Sequence, residues 1–203
     1  GIALRKWLLL ANISDSAALV TALVPESAKS TYSDAAMRGM LASLEYRANV
    51  PSEELLGLLP FKIGDLGGLR LFRVEGPIAF LTDGPKDTSD ANEQPLLIIS
   101  AAPGGPAEQP QRENFARNLF ADVPGFTGMR IVSNDIILLG GVQTYQIMAE
   151  AKDTVSDANM KFVQWLRFGA GAYLRMVGIS RADNWSDAFA RFRAVRDGLG
   201  PKE

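Results

Sequence analysis

The chain reads as an α+β protein: an antiparallel β-sheet meander covered by amphipathic helices, with an additional strand-strand-helix unit at the N-terminus. Three observations carry this. Residues 129–138, 142–151, 160–168 and 172–180 are long strand-like segments parted by short turns. Short turns join antiparallel neighbours, whereas parallel strands need long crossovers. Residues 184–199 set Trp185, Ala188, Phe189, Phe192, Val195 and Leu199 on one side of a helix and Arg191, Arg193 and Asp197 on the other, so the apolar side must cover the sheet. The start of the chain is also echoed near its end. Trp7-Leu8-Leu9-Leu10, the apolar run 17–24 and Tyr32-Ser33-Asp34-Ala35 are answered by Trp165-Leu166-Arg167-Phe168, the run 173–179 and Trp185-Ser186-Asp187-Ala188. A second echo, 66–74 against 139–147, is in both places a turn with paired glycines feeding a strand.

In chain order, residues 3–12 and 16–24 form a hairpin through the turn Asn12-Ile13-Ser14-Asp15, and Pro25 ends its second strand. A helix follows, capped by Ser33 or Asp34, with Ala36, Met40, Leu41 and Leu44 at the spacing of a buried stripe. Pro51-Ser52-Glu53-Glu54 opens a shorter helix, with proline in its first turn and acids favoured by the helix dipole, and Pro60 stops it. Strands follow at 69–75, 78–82 and 96–101, the first two joined through Gly76-Pro77. The polar run 83–95 between them reads as an exposed, mobile loop, and 103–110 as another. Residues 111–121 form a helix burying Phe115, Leu119 and Phe120 before Pro124-Gly125.

Composition narrows the function mainly by exclusion. A chain of 203 residues with 47% hydrophobic content buries a core without staples. Its net charge of -2 supplies no field that would favour nucleic acid, and no apolar stretch is long enough to cross a bilayer as a helix. There is no cysteine, which leaves the redox compartment open, and no histidine. Serine-histidine-acid and cysteine-histidine chemistry are therefore excluded for the chain acting alone, and zinc and iron lose their usual ligands. No serine has lysine three positions on, and neither the phosphate-cradling glycine loop nor the dinucleotide fingerprint occurs; Gly169-Ala170-Gly171 is a hairpin turn.

What chemistry remains is thin. Asp83, Asp87 and Asp90 offer oxygen ligands within eight residues, but the spacing matches no calcium loop and Lys86 opposes it, so no metal is expected. Glu53 and Glu54 are adjacent on a helix and point apart. Arg175 and Arg181, with Arg191, Arg193 and Arg196, read as a solvated basic face held in ion pairs. Asn12-Ile13-Ser14 and Asn184-Trp185-Ser186 match the glycosylation sequon, a pattern short enough to arise by chance. Trp7, Trp165, Tyr173 and Trp185 are the one candidate ligand pocket, a place where an apolar or sugar ligand would sit between sheet and helices. Aromatics at strand and helix spacing are more often core.

From about residue 60 the order is three strands, a helix, four strands and a closing amphipathic helix, with the turn Gly-Gly-Val-Gln-Thr-Tyr at 140–145 leading into the strands that carry Trp165 and Tyr173. In this it resembles the PsbP-like superfamily, many of whose bacterial members are exported. The resemblance implies an antiparallel sheet with helices packed on it, used to bind or assemble other proteins and not as an enzyme. It carries over no functional residue and no cofactor. The expected function is a non-catalytic protein-binding or assembly module, exported to the periplasm or beyond, with an unknown protein as partner. The alternatives are a small-ligand sensor using the aromatic pocket, and a hydrolase using two facing carboxylates. Residues 60–203 are the expected PsbP-like domain, and 1–59 resemble the last two strands and closing helix of a preceding, truncated copy. A lone hairpin with one helix is marginal in water, so the two parts are expected to pack as one body around a continuous, pseudo-symmetric sheet.

Overall fold

The structure, a computed structural model, describes every residue except Gly1, Ser14, Asp15, Tyr46, Ala48, Asn49, Asp122, Ala170 and Glu203, and only the backbone of Ile13 and Ser16. The chain divides into two units, residues 1–50 and 51–203. The expected boundary after residue 59 lies nine residues too late, because Leu55, Leu56 and Leu59 pack into the core of the second unit.

In the first unit, β1 (Leu4–Ile13) and β2 (Ser16–Pro25) pair antiparallel with Leu10 opposite Leu19; the expected turn residues Ser14 and Asp15 lie outside the described residues. The expected continuous sheet does not form, since β1 and β2 make a two-stranded ladder of their own. In α1 (Asp34–Ala42) the Ser33 hydroxyl accepts from the Ala36 N–H at 3.3 Å, the capping bond expected of a serine there. The buried stripe differs from expectation. Met37 is 2% exposed and Leu41 half-buried, whereas Ala36, Met40 and Leu44 face outward. A stripe through Met37 and Leu41 satisfies the same i, i+4 rule one residue over, and the sequence alone did not distinguish the two.

Arg5 on β1 ties strand to helix, donating to Asp34 at 2.5 Å and lying 3.6 Å from Glu26. That hydrogen bond holds the Asp34 carboxyl below the usual carboxylate range. A depressed acid contributes stability above its unfolded pKa and loses it as pH falls through the folded value. Acidification below the ordinary carboxylate range is therefore expected to loosen α1 from β1. Amide hydrogen exchange across residues 34–42 should accelerate with acid beyond the intrinsic pH dependence of exchange, and Asp34→Asn should remove that acid-dependent component.

The second unit is built on one antiparallel sheet of seven strands. These are β4 (Arg70–Glu75), β5 (Ile78–Thr82), β6 (Leu96–Pro103), β7 (Phe126–Leu139), β8 (Val142–Asp153), β9 (Asn159–Phe168) and β10 (Ala172–Arg181), in the spatial order β4-β5-β6-β10-β9-β8-β7. Two meanders meet where β10 pairs with β6, and α3 (Gln109–Ala121) is the crossover that joins them. α3 covers one face, setting Ala116 and Phe120 over Tyr145, Phe162, Leu166 and Val177. α2 (Ser52–Leu58) and α4 (Trp185–Asp197) cover the other, over Leu81, Ile99, Val163, Trp165 and Met176. The fully buried Gln164 pins α3 to the sheet, donating to the Ala116 carbonyl at 2.8 Å and accepting from Arg175. On the opposite face Gly178 lets Phe192 of α4 lie against the sheet; a Cβ there would stand 2.5 Å from the ring.

Two short strands escaped the sequence pattern. β3 (Phe61–Ile63) pairs with β11 (Leu199–Pro201), so the final helix ends at Asp197 and the chain runs on as strand. The run 83–95 also departs from a solvated loop. Ala91 and Gln94 are buried, Gln94 bonds Lys86 through both its amide atoms, and Arg70 donates to the Gly84 and Lys86 carbonyls and to Asp87.

Candidate functional site

Within the second unit the structure does not gather Trp165, Tyr173 and Trp185 into one pocket. Side chains alternate across a strand, and Trp165 faces Met176 in register, so Tyr173, three positions before Met176, projects from the opposite face. Trp165 and Trp185 share the α4 side, where Phe189 stacks between them at centroid distances of 6.0 and 5.3 Å. The Trp165 indole N–H donates to Gln146 at 2.8 Å, and the Arg196 guanidinium lies 5.0 Å from its ring. Side chains fill this space. Tyr173 meets Phe115 edge-on at 5.2 Å under α3, and Trp7 belongs to the first unit, half-buried beside Arg5.

The other candidates also disperse. Of the loop acids, Asp83 pairs with Arg191, Asp87 with Arg70, and Asp90 accepts from the Asn92 N–H. Among the five arginines, Arg175 bonds Gln164 and the Leu119 carbonyl, Arg181 pairs with Asp183, and Arg193 lies over Phe189. Two acids, Asp90 and Asp153, line a common cleft of about 350 Å³. Hydrogen bonds from the Ser156 N–H and hydroxyl hold the Asp153 carboxyl below the usual range, the reverse of what a general acid needs.

Two features remain. The first lies at the end of the second unit's sheet where β9 turns into β10. Arg167 borders a cleft of about 370 Å³ walled by Phe61, Phe168, Tyr173 and Leu174, and a second of about 360 Å³ bordered by Leu139, Val142 and Asp197. Its Nε donates to the Thr144 hydroxyl at 3.3 Å, and it forms no ion pair among the described residues. Burial first, then repulsion from Arg196, lowers its pKa from the usual arginine value, while Asp197 opposes the shift. Asp197 itself accepts from the Nε of Arg196 at 2.8 Å.

The second feature is the outer face of the first unit's hairpin. Leu4, Leu8 and Leu10 of β1 and Leu19 and Leu23 of β2 are 55% to 74% exposed, while Trp7, Leu9, Val20 and Val24 occupy the inner side. Lys6 is the one charged side chain of that outer face among the described residues. Sequence reasoning missed both features, although each left a signal. Apolar residues at every position from Trp7 to Leu10 mark a strand apolar on both sides, and Arg167 interrupts an otherwise apolar strand end.

Fold and sites together define an α+β sheet protein with an exposed apolar face on one unit and an arginine-bordered cleft on the other. No protein-family profile and no curated protein matches the chain. Among solved structures it is similar to LpqN of Mycobacterium tuberculosis, a protein involved in cell envelope biogenesis, with a TM-score of 0.54 at 14% identity over 70% of this chain and 83% of LpqN. It also aligns with PA94, a protein of unknown function from Pseudomonas aeruginosa, with a TM-score of 0.47 at 10% identity over 97% of this chain and 98% of PA94. Cyanobacterial PsbP from Synechocystis sp. PCC 6803 aligns with a TM-score of 0.43 at 9% identity, over 79% of this chain and 99% of that protein. The likeness to LpqN is one of fold: the antiparallel sheet with helices on it.

Proposed function

We propose that the chain is a non-catalytic module that docks another polypeptide on the leucine face of its first unit. The observation that carries this is the five leucines of one hairpin face exposed together. Contiguous exposed apolar surface marks interaction sites on soluble proteins, and a two-stranded sheet gains stability when such a face is covered. The partner presents an apolar surface with an acidic group opposite Lys6. Two copies face to face would instead bring each Lys6 onto leucines, with no acid of that face to meet it. The missing histidine and cysteine, and the low-lying Asp153 carboxyl, support a role without catalysis. The PsbP-like resemblance supports an exported location, which fractionation of the native cells would test.

Leu10 and Leu19 are direct partners across the hairpin, so Leu10→Glu with Leu19→Glu places charge at the middle of the face while leaving Met37 and the inner side intact. With a cross-linked partner in hand, the double variant and Lys6→Glu are each expected to weaken binding at least tenfold, and circular dichroism should show the fold retained. Unchanged binding in both would contradict the reading. So would a dimer of the wild-type chain in sedimentation that the double variant dissolves.

A further inference from the structure

We infer that the Arg167 end of the second unit's sheet is a binding site for a small monocarboxylate with an apolar body, of the size of a medium-chain fatty acid. The site is separate from the leucine face and stands without it. Arginine presents five N–H donors, and one of these, on Nε, is used by Thr144. The two terminal nitrogens have no protein partner among the described residues, and the residue borders two clefts at once. A half-buried guanidinium without a carboxylate is costly to keep, and repulsion from Arg196, itself only 8% exposed, adds to the cost. A bound carboxylate would relieve both, through two parallel charge-assisted hydrogen bonds.

The local charge selects the head group. Arg196 is occupied by Asp197 and the Trp165 ring, so the cluster of Arg167, Arg196 and Asp197 carries one positive charge over, which suits a monoanion better than a phosphate. The lining of the larger cleft selects the body. Apart from Arg167 its walls are Phe61, Phe168, Tyr173, Leu174, Leu199 and smaller groups, and none of the described residues bordering it is acidic. A peptide's backbone amides would find few side-chain partners there, whereas an aliphatic chain needs none. Its volume of about 370 Å³ falls in the range of small-ligand sites.

The test titrates the full chain with octanoate below its micellar concentration, followed by calorimetry and by NMR of the arginine side-chain N–H groups and the backbone amides. Octanol, octyl phosphate and trileucine serve as comparison ligands. Octanoate is expected to bind at least tenfold more tightly than octanol, with the largest shifts at Arg167, Tyr173 and their neighbours. Arg167→Gln is expected to weaken octanoate at least tenfold and to leave octanol unchanged. Ala172 is exposed and borders the larger cleft, so Ala172→Trp should fill it and abolish binding with Arg167 in place. Equal binding of octanoate and octanol overturns the inference, as does tighter binding of octyl phosphate or trileucine. Octanoate binding unaffected by Ala172→Trp overturns it too, even if Arg167→Gln fails to fold.

Discussion

Trp165→Ala is expected to be the most damaging single substitution in the second unit. The ring is 1% exposed, stacked against Phe189, with Arg196 beside it and its N–H bonded to Gln146. Truncation removes a large buried area and opens a cavity between β9 and α4, at a cost of about 3–5 kcal/mol. It also deprives the nearly buried Arg196 of its aromatic neighbour and the Gln146 carbonyl of its donor. Trp165→Phe keeps most of the volume and loses the N–H bond, so it should cost about 1 kcal/mol. Urea unfolding of the two variants measures both values. If Trp165→Ala cost less than about 1 kcal/mol, the ring would not be the packed core residue described.

Gly178→Ala is expected to destabilise the same unit by overpacking, and Gly57→Ala to stabilise it. At Gly178 a Cβ would stand 2.5 Å from a Phe192 ring that is fully buried and has nowhere to swing, so sheet and α4 must separate slightly, at about 1–3 kcal/mol. At Gly57, within α2, a Cβ meets nothing within 4 Å. There the helix propensity of alanine contributes without steric cost, worth up to about 1 kcal/mol. Opposite signs for one chemical change at two glycines would separate the close approach of α4 from any general effect of glycine replacement. Thermal melts of the two variants are sufficient.

The sequence made the sheet legible because its strands are long, rich in apolar residues and parted by short turns. From Val142 to Arg181 the strand limits fall within two residues of expectation, and the apolar stripe of α4 faces the sheet as its spacing required. Short elements were not legible. Phe61–Ile63 and Leu199–Pro201 have three residues each, too few to show a period, and they become strands only by pairing with each other across the chain. Loop 83–95 looked solvated because its residues are polar, yet Gln94 and Arg70 satisfy backbone groups that composition cannot reveal. The candidate pocket failed for a geometric reason. Trp165 and Tyr173 sit on neighbouring strands, but the parity of the register puts them on opposite faces, and parity depends on a pairing that is known only in the fold. Arg167 escaped notice because a lone arginine among apolar residues acquires meaning only once its missing partner is seen.

Docking on the leucine face is tested most directly by a photo-reactive benzoylphenylalanine placed at position 8, on that face, and separately at Val155, which is 94% exposed in the second unit. Irradiation of native cells expressing each form is predicted to give a discrete adduct with another protein from position 8 and none from position 155, with the adduct at position 8 suppressed by Leu10→Glu and Leu19→Glu. The same adducts from both positions, none from position 8, or a cross-link joining two copies of the chain through position 8 would contradict it.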